Sequence, residues 1–480
     1  MAYQIKKESY LSEEKEENKY FLFSSNIFNS TTKNPSNIKD NIKFLRVIAI
    51  QNDFNKISTK KFFLKKKNLF MDKRSYFIIY LFRLLIIFHL FSQILVENDA
   101  YIKFTFSVGT GTIKIFNNNG HFQKPYIMNI EEKNYTNFGY QINLTTFYVN
   151  TTITFYVTIT LYWNETITTA SRMFEGCSDI IRIIEFNNFF DSITDMSYMF
   201  ENTSLTDFNF GQFTAPKLTD MKYMFYGCTN LNSVNFGNFS AQSLEDMRNM
   251  FERCTNLNSV NFGNFTAQSL NDMGDLFQEC SNLTNINFDK FDVYSLNNIN
   301  NVFKGCKSLT SINFGQFIAS TLTNMSYMFS ECTNLNHVNF GLFTAPKLNN
   351  VDFMFKKCTS LTSINFDEFN VLELYDIKFM FKKCNNLSYI NFGLFNASTL
   401  NDMSYMFEEC TSLISVNFGI LMAPNLNNMS YMFSNCSKLN NIYLKQIETS
   451  KLNNMKFMFN GCKSLKTVTF AKKITIISVR

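Results

Sequence analysis

Hydrophobic and polar positions recur along this chain with a fixed period. A Phe anchor stands at Phe174, Phe200, Phe225, Phe251, Phe277, Phe303, Phe329, Phe355, Phe381, Phe407, Phe433 and Phe459, a period of 26 residues with one step of 25. Within the unit from Leu322 to Phe343, Met325, Met328, Phe329 and Cys332 fall at i, i+3, i+4 and i+7. That spacing lines one face of a short helix, with Thr323 or Asn324 placed to cap its start. Leu335-x-x-Val338-x-Phe340 predicts a strand, with Val338 and Phe340 inward and Asn339 outward. Gly341 then turns the chain and Phe343 packs back underneath. A single unit cannot bury its apolar side, but stacked units share one core. The expected fold class is α/β, a solenoid of about twelve strand–helix units over residues 166–470 preceded by a small β region.

That β region is expected at residues 98–165 as an N-terminal cap domain. Residues 101–107, 112–116 and 152–163 alternate apolar with Thr or charged residues and read as strands, with Trp163 packing against the first unit. At the far end, residues 466–470 and 474–477 read as last strands, and residues 471–480 form the C-terminal strand or tail.

Two columns sharpen the solenoid reading. Of 22 Met, 18 occupy the two periodic positions exemplified by Met196 and Met199, which indicates core packing over a ligand groove. All 11 Cys share one position, from Cys177 to Cys462, and the second unit lacks its Cys where residues 201–204 run one residue short. No C-x₂-C pair exists, so zinc is not expected. Helices pack about 8–10 Å apart, whereas a disulfide needs Cα atoms within about 7 Å. The column is therefore expected to be a ladder of buried thiols and not a chain of disulfides.

Composition changes the picture only modestly. Hydrophobic residues make up 45% and charged residues 18%, which excludes a fully disordered chain. Net charge is +6, but residues 1–75 hold 16 Lys+Arg against 8 Asp+Glu, leaving 29 against 31 in the remainder. The basic excess is thus outside the array, and nucleic-acid binding is not expected. Residues 1–70 read as a basic leader of low order, untranslated if the start is Met71, and residues 71–97 as a signal peptide or signal-anchor. Lys and Arg precede a hydrophobic run at residues 76–96, long enough to span a bilayer although Arg83, His89 and Gln93 weaken it. If uncleaved it anchors the chain with the leader cytoplasmic; if translation starts at Met71 it is a cleaved secretory signal, the reading preferred here. Either way the array is expected outside the cytosol. N-x-[ST] sequons at Asn134, Asn143, Asn150, Asn164, Asn238, Asn264, Asn282, Asn324, Asn386, Asn396 and Asn428 agree weakly with this.

The units resemble the BspA-type leucine-rich repeat surface proteins, and within them the mycoplasma-type repeat of about this length. The matching elements are Met-Ser-Tyr-Met-Phe, at Met196 to Phe200, Met325 to Phe329, Met403 to Phe407 and Met429 to Phe433, and the Gly-Cys-x-x-Leu turn at Gly227 to Leu231 and Gly305 to Leu309. They cover about residues 166–470. Members often carry Leu-Asp-Leu on the strand where this chain has Asn-Phe, which alters the outward chemistry. The resemblance implies a leucine-rich-repeat-like solenoid, surface exposure, and adhesive or binding roles without catalytic residues.

Two outward columns are candidate binding surfaces. Asn209, Asn235, Asn261, Asn287, Asn313, Asn339, Asn365, Asn391 and Asn417 form an amide ladder that bonds along the sheet or meets a glycan or peptide. Tyr198, Tyr223, Tyr327, Tyr405 and Tyr431, with Phe353, Phe379 and Phe457, form an aromatic stripe interrupted by Asn249, Asp275 and Asn301. The stripe either stacks on sugars or a partner protein or, the reading preferred here, packs half buried between neighbouring helices. No G-x-S-x-G, H-E-x-x-H or Cys–His constellation exists, and no enzyme activity, metal or cofactor is expected. The functional expectation is a cell-surface or secreted repeat protein that mediates adhesion or binds a protein or glycan. The alternative is an intracellular scaffold.

Overall fold

The structure is a computed structural model. It describes residues 100–108, 112–117, 123–125, 127–130, 133–135, 141–143, 155–187, 190–287, 294–315, 317–341, 343–366, 371, 373–392, 398–418, 423–444 and 451–470. The basic leader, the hydrophobic run at 76–96 and the strand expected at 474–477 lie outside the described residues. Among the described residues no helix is long and apolar enough to cross a membrane.

Short parallel strands recur once per unit and pair in equivalent register. Val234 stands opposite Val260, and Val260 opposite Ile286; Ile364 stands opposite Ile390, and Ile390 opposite Val416. Each strand is only three residues in most units, such as Ser233–Asn235 and His337–Asn339. The central Val or Ile and the following Phe point inward: Val338 is 7% and Phe340 2% exposed, while Asn339 faces solvent. Inside, the anchor phenylalanines stack face to face, with Phe329–Phe355, Phe355–Phe381 and Phe381–Phe407 at 5.4, 5.3 and 5.4 Å. A second column, Phe314–Phe340–Phe366–Phe392, stacks at 5.8, 5.5 and 5.5 Å and meets the first edge-on, as at Phe314–Phe329. Each such pair contributes about 0.5–1.5 kcal/mol beyond area burial.

The expected helices are absent among the described residues, and the α/β class is corrected to a β-solenoid of about 10 turns. The cause is local backbone conformation. The third residue after the Asp or Asn that opens each Met segment has positive φ: Tyr198 at 58°, Tyr327 at 57°, Tyr405 at 59°. A second such position follows four residues later, at Asn202, Glu331 and Glu409. Two left-handed residues within five break an α-helix. The backbone N–H groups reach the next rung instead: Tyr198 N donates to Lys222 O and Phe200 N to Met224 O. The i, i+3, i+4, i+7 residues are buried as the pattern demanded, but on a tight coil. The residue read as a helix cap, Asn324, closes a turn by accepting from Ser326 N at 3.0 Å. The count of about twelve strand–helix units is corrected with it. The first Phe-anchored rung carries Ile180–Asn187, which pairs antiparallel with Ala100–Val108, and the last carries Thr467–Phe470.

The N-terminal strands join the same sheet. Ala100–Val108 pairs antiparallel with both Phe155–Trp163 and Ile180–Asn187, and the nine-stranded sheet then continues into the first parallel rungs. Phe104 and Phe116 contact the first anchor, Phe174, at 4.8 and 5.8 Å. Trp163 is 2% exposed and its indole N–H donates to Gln123 O at 2.7 Å.

Candidate binding surfaces

The outward amides are shaped first by the turn that follows each strand. Asn209 Oδ1 accepts from Gly211 N at 2.9 Å, Asn261 Oδ1 from Gly263 N at 3.0 Å, and Asn339 Oδ1 from Gly341 N at 3.0 Å. The Nδ2 groups then bond across rungs: Asn235 to Asn209 at 3.2 Å, Asn261 to Asn235 at 3.0 Å, Asn391 to Asn365 at 3.3 Å, Asn417 to Asn391 at 2.8 Å. Asn209, Asn261, Asn313, Asn339, Asn365 and Asn417 are exposed, and Asn235 and Asn391 are half-buried. Asn287 ends the strand Asn285–Asn287 in the same register.

Beside the strands lies a polar groove of about 480 Å³, lined by Asn230, Asn232, Asn256, Asn258, Asn282, Thr284 and Ser308. Cross-rung bonds order its walls, with Thr284 Oγ1 on Asn258 Oδ1 at 3.0 Å. These two columns were missed in the sequence reading, although their 26-residue recurrence is plain in the Thr-Asn-Leu-Asn segments.

The aromatic stripe is brought together as two stacks. Tyr198 and Tyr223 lie at 4.7 Å. Tyr327, Phe353, Phe379, Tyr405 and Tyr431 run at 4.4, 4.5, 4.6 and 4.7 Å, and Phe457 follows at 5.0 Å. All are half-buried. They pack ring on ring along a coil and not between helices. Neighbouring rings cover one another's faces, so the stacks present edges and hydroxyls. Burial raises the phenol pKa of Tyr223, Tyr327 and Tyr405. The break between the stacks is polar. Glu252 is 7% exposed and accepts from Asn249 Nδ2 at 2.6 Å and Gln278 Nε2 at 2.9 Å. Burial, then the charge of Glu252, pushes the Asp275 carboxyl up to about 6.

The Cys column carries free thiols. From Cys228 to Cys462 each donates to the anchor carbonyl of the rung before it, as Cys254 Sγ does to Phe225 O at 3.0 Å and Cys384 Sγ to Phe355 O at 3.0 Å. The helix spacing invoked against disulfides does not apply, because these rungs follow strand spacing, about 4.8 Å. Burial pushes the Cys228 thiol up to about 11. Among the described residues no group of three or more His, Cys, Asp or Glu is placed to hold a metal ion.

A repeat family described as "Mycoplasma protein of unknown function, DUF285" matches residues 168–286, 245–365, 271–391 and 349–472. No curated protein matches the chain. Solved structures similar to it include a leucine-rich repeat protein from Bacteroides ovatus, at 18% identity over 63% of this chain and 77% of that one, with a TM-score of 0.34. Another, from Eubacterium ventriosum, is 16% identical over 60% and 76%, with a TM-score of 0.32. A leucine-rich cell surface protein from Faecalibacterium prausnitzii is 17% identical over 55% and 87%, with a TM-score of 0.24. The family matches run from residue 168 to 472, well over half of the chain, and agree with the BspA-type resemblance; the chain belongs to the DUF285 repeat family.

Proposed function

We propose that this chain is a non-enzymatic repeat protein that acts outside the cytosol, at a cell surface or secreted, and binds a protein or glycan through its solenoid surface. The observation that carries the reading is the run of outward amides, from Asn209 to Asn417 on the strands and from Asn230 to Asn282 in the groove beside them. Amides both donate and accept, which suits hydroxyls and peptide groups alike. A stiff array repeats a weak contact at even spacing, and binding strength then follows from number. Tyr198, Tyr223, Tyr327, Tyr405 and Tyr431 would add ring edges and hydroxyls along a second line. Residues 98–165 serve as the cap of the array, and residues 76–96 tether it to a membrane if they are not removed.

Asn256→Ala, Asn258→Ala and Asn282→Ala together test the surface. The full chain and this variant are compared for binding to a glycan panel and to intact cells. Binding by the first and its loss in the second is the expected result; equal binding by both sinks the role of the groove. Protease protection on cells expressing the full chain tests the location, and an array found in the cytosol removes the surface reading. The second reading, an intracellular scaffold, is favoured by one feature: the ten thiols from Cys228 to Cys462 form no disulfide, as in a reducing compartment.

A further inference from the structure

The side of the solenoid that bears the aromatic stripe changes sign along its length. The position after each anchor Phe reads Glu175, Glu201, Tyr226, Glu252, Gln278 and then Lys304, Ser330, Lys356, Lys382. The next position adds Lys357 and Lys383, with Glu331 the one acid between rungs 304 and 383 in these two columns. Glu331 is taken by Lys357 at 2.7 Å, and Lys382 is held by Glu408 at 2.6 Å. Lys304 and Lys356 have no carboxylate within ion-pair distance among the described residues. Both lie along the aromatic stack, Lys304 Nζ at 5.8 Å from the Tyr327 ring and Lys356 Nζ at 5.2 Å from that of Phe353. Between them sits Ser330, 2% exposed and small.

We propose that Lys304 and Lys356, straddling Ser330 on the aromatic ridge, form a cradle for the sulfate groups of a sulfated polysaccharide. The two lysines are two rungs apart, about 10 Å at strand spacing, with Lys382 one rung farther. That interval matches a polymer with one charged group per disaccharide running along the solenoid. The lysines gain from an incoming anion because they repel one another. Lys356 is held below the usual ammonium range by burial first and then by the charge of Lys357, with Glu331 opposing and Lys382 and Lys304 adding to the shift. A base-stacking partner such as single-stranded nucleic acid is disfavoured, because neighbouring rings occupy the faces from Tyr327 to Tyr405. The cradle is on a different column from the amide surface proposed above, so each stands or falls alone.

The test uses the full chain and immobilised heparin. The chain should bind at low salt, release as salt rises, and lose affinity on the order of tenfold in Lys304→Gln/Lys356→Gln. Lys304→Arg/Lys356→Arg should keep binding, as should Lys217→Gln/Lys451→Gln, which removes the same charge elsewhere. Thermal unfolding of each variant separates a lost site from a lost fold, and Lys356→Gln alone serves if the pair fails to fold. No heparin binding by the full chain, unchanged binding by the folded Gln pair, or equal binding of desulfated heparin would overturn the proposal. So would stronger binding of polyglutamate or phosphatidylserine vesicles than of heparin. The Asn256→Ala/Asn258→Ala/Asn282→Ala variant should bind heparin normally.

Discussion

Cys332 Sγ donates to Phe303 O, 29 residues earlier, at 2.9 Å, and both residues are fully buried. The thiol adds a second hydrogen bond to a carbonyl that already accepts from Cys306 N at 3.0 Å, while filling a small apolar space. Where the second unit lacks Cys, Thr203 stands near the place and its hydroxyl donates within its own rung, to Phe200 O at 2.9 Å. Cys332→Ala removes both bond and volume and should lower stability by about 1–2 kcal/mol. Cys332→Ser keeps a donor and should cost less. Urea unfolding of the two variants decides, and equal losses would show that volume alone matters.

The thiols also predict an alkaline limit. An unfolded thiol ionises at about 8.5, whereas Cys228 and Cys462 are both pushed up to about 11, chiefly by burial. Between those values the folded chain binds more protons than the unfolded chain, so stability falls as pH rises. The melting temperature should be insensitive to these groups below about pH 8.5 and decline steadily above it. Buried thiols should resist alkylation at neutral pH, with the less buried Cys462 reacting first. A melting temperature flat from neutral pH to about pH 11 would contradict this.

Gly237 marks a close approach between rungs. Its φ is +57°, and a Cβ there would stand 2.7 Å from Gly211 O in the preceding rung. Gly237→Ala therefore meets both an unfavourable backbone conformation and a backbone oxygen that cannot swing aside. The expected loss is about 1–3 kcal/mol, read as a lower urea midpoint.

Asn301 interrupts the aromatic stack next to Tyr327, and its Oδ1 is buried without a hydrogen-bond partner. Its φ is 53°, the same conformation that Tyr327 adopts one rung on. Asn301→Tyr should extend the stack and raise stability by about 0.5–1.5 kcal/mol. A drop in melting temperature would mean that the polar break is held by contacts with Asp275 stronger than the stacking gain.

The sequons divide by geometry. Asn164 and Asn386 are exposed, whereas Asn324 and Asn428 are half-buried and close turns onto Ser326 N and Ser430 N, each at 3.0 Å. A glycan on the latter pair would sit on an Nδ2 that the turn holds against the protein, as at Asn428, whose Nδ2 donates to Asp402 Oδ2 at 3.0 Å. Glycopeptide mass spectrometry of folded chain passed through a secretory pathway should find occupancy at Asn164 and Asn386 and little at Asn324 and Asn428. Full occupancy at Asn324 would contradict the turn assignment.

Much of the core was readable from periodicity alone. Met325, Met328, Phe329, Cys332, Leu335, Val338 and Phe340 are all buried, as their recurrence every 26 residues required. Any stack of identical units must turn the same side chains inward, whatever path the backbone takes. Outward Asn339 followed from the same alternation.

The path itself was settled only by tertiary contact. A helix satisfies its N–H groups within one segment, so a helical spacing of apolar residues suggested one. Here the neighbouring rung offers carbonyls at every level, and Tyr198 N and Phe200 N take those of Lys222 and Met224. That exchange frees Tyr198 to adopt a left-handed conformation and lets its ring stack on Tyr223. Nothing in a single unit records this, because the partner groups lie a full turn away. The same holds for Lys304 and Lys356, separated by two turns in sequence and brought to one ridge by the stacking of the coil.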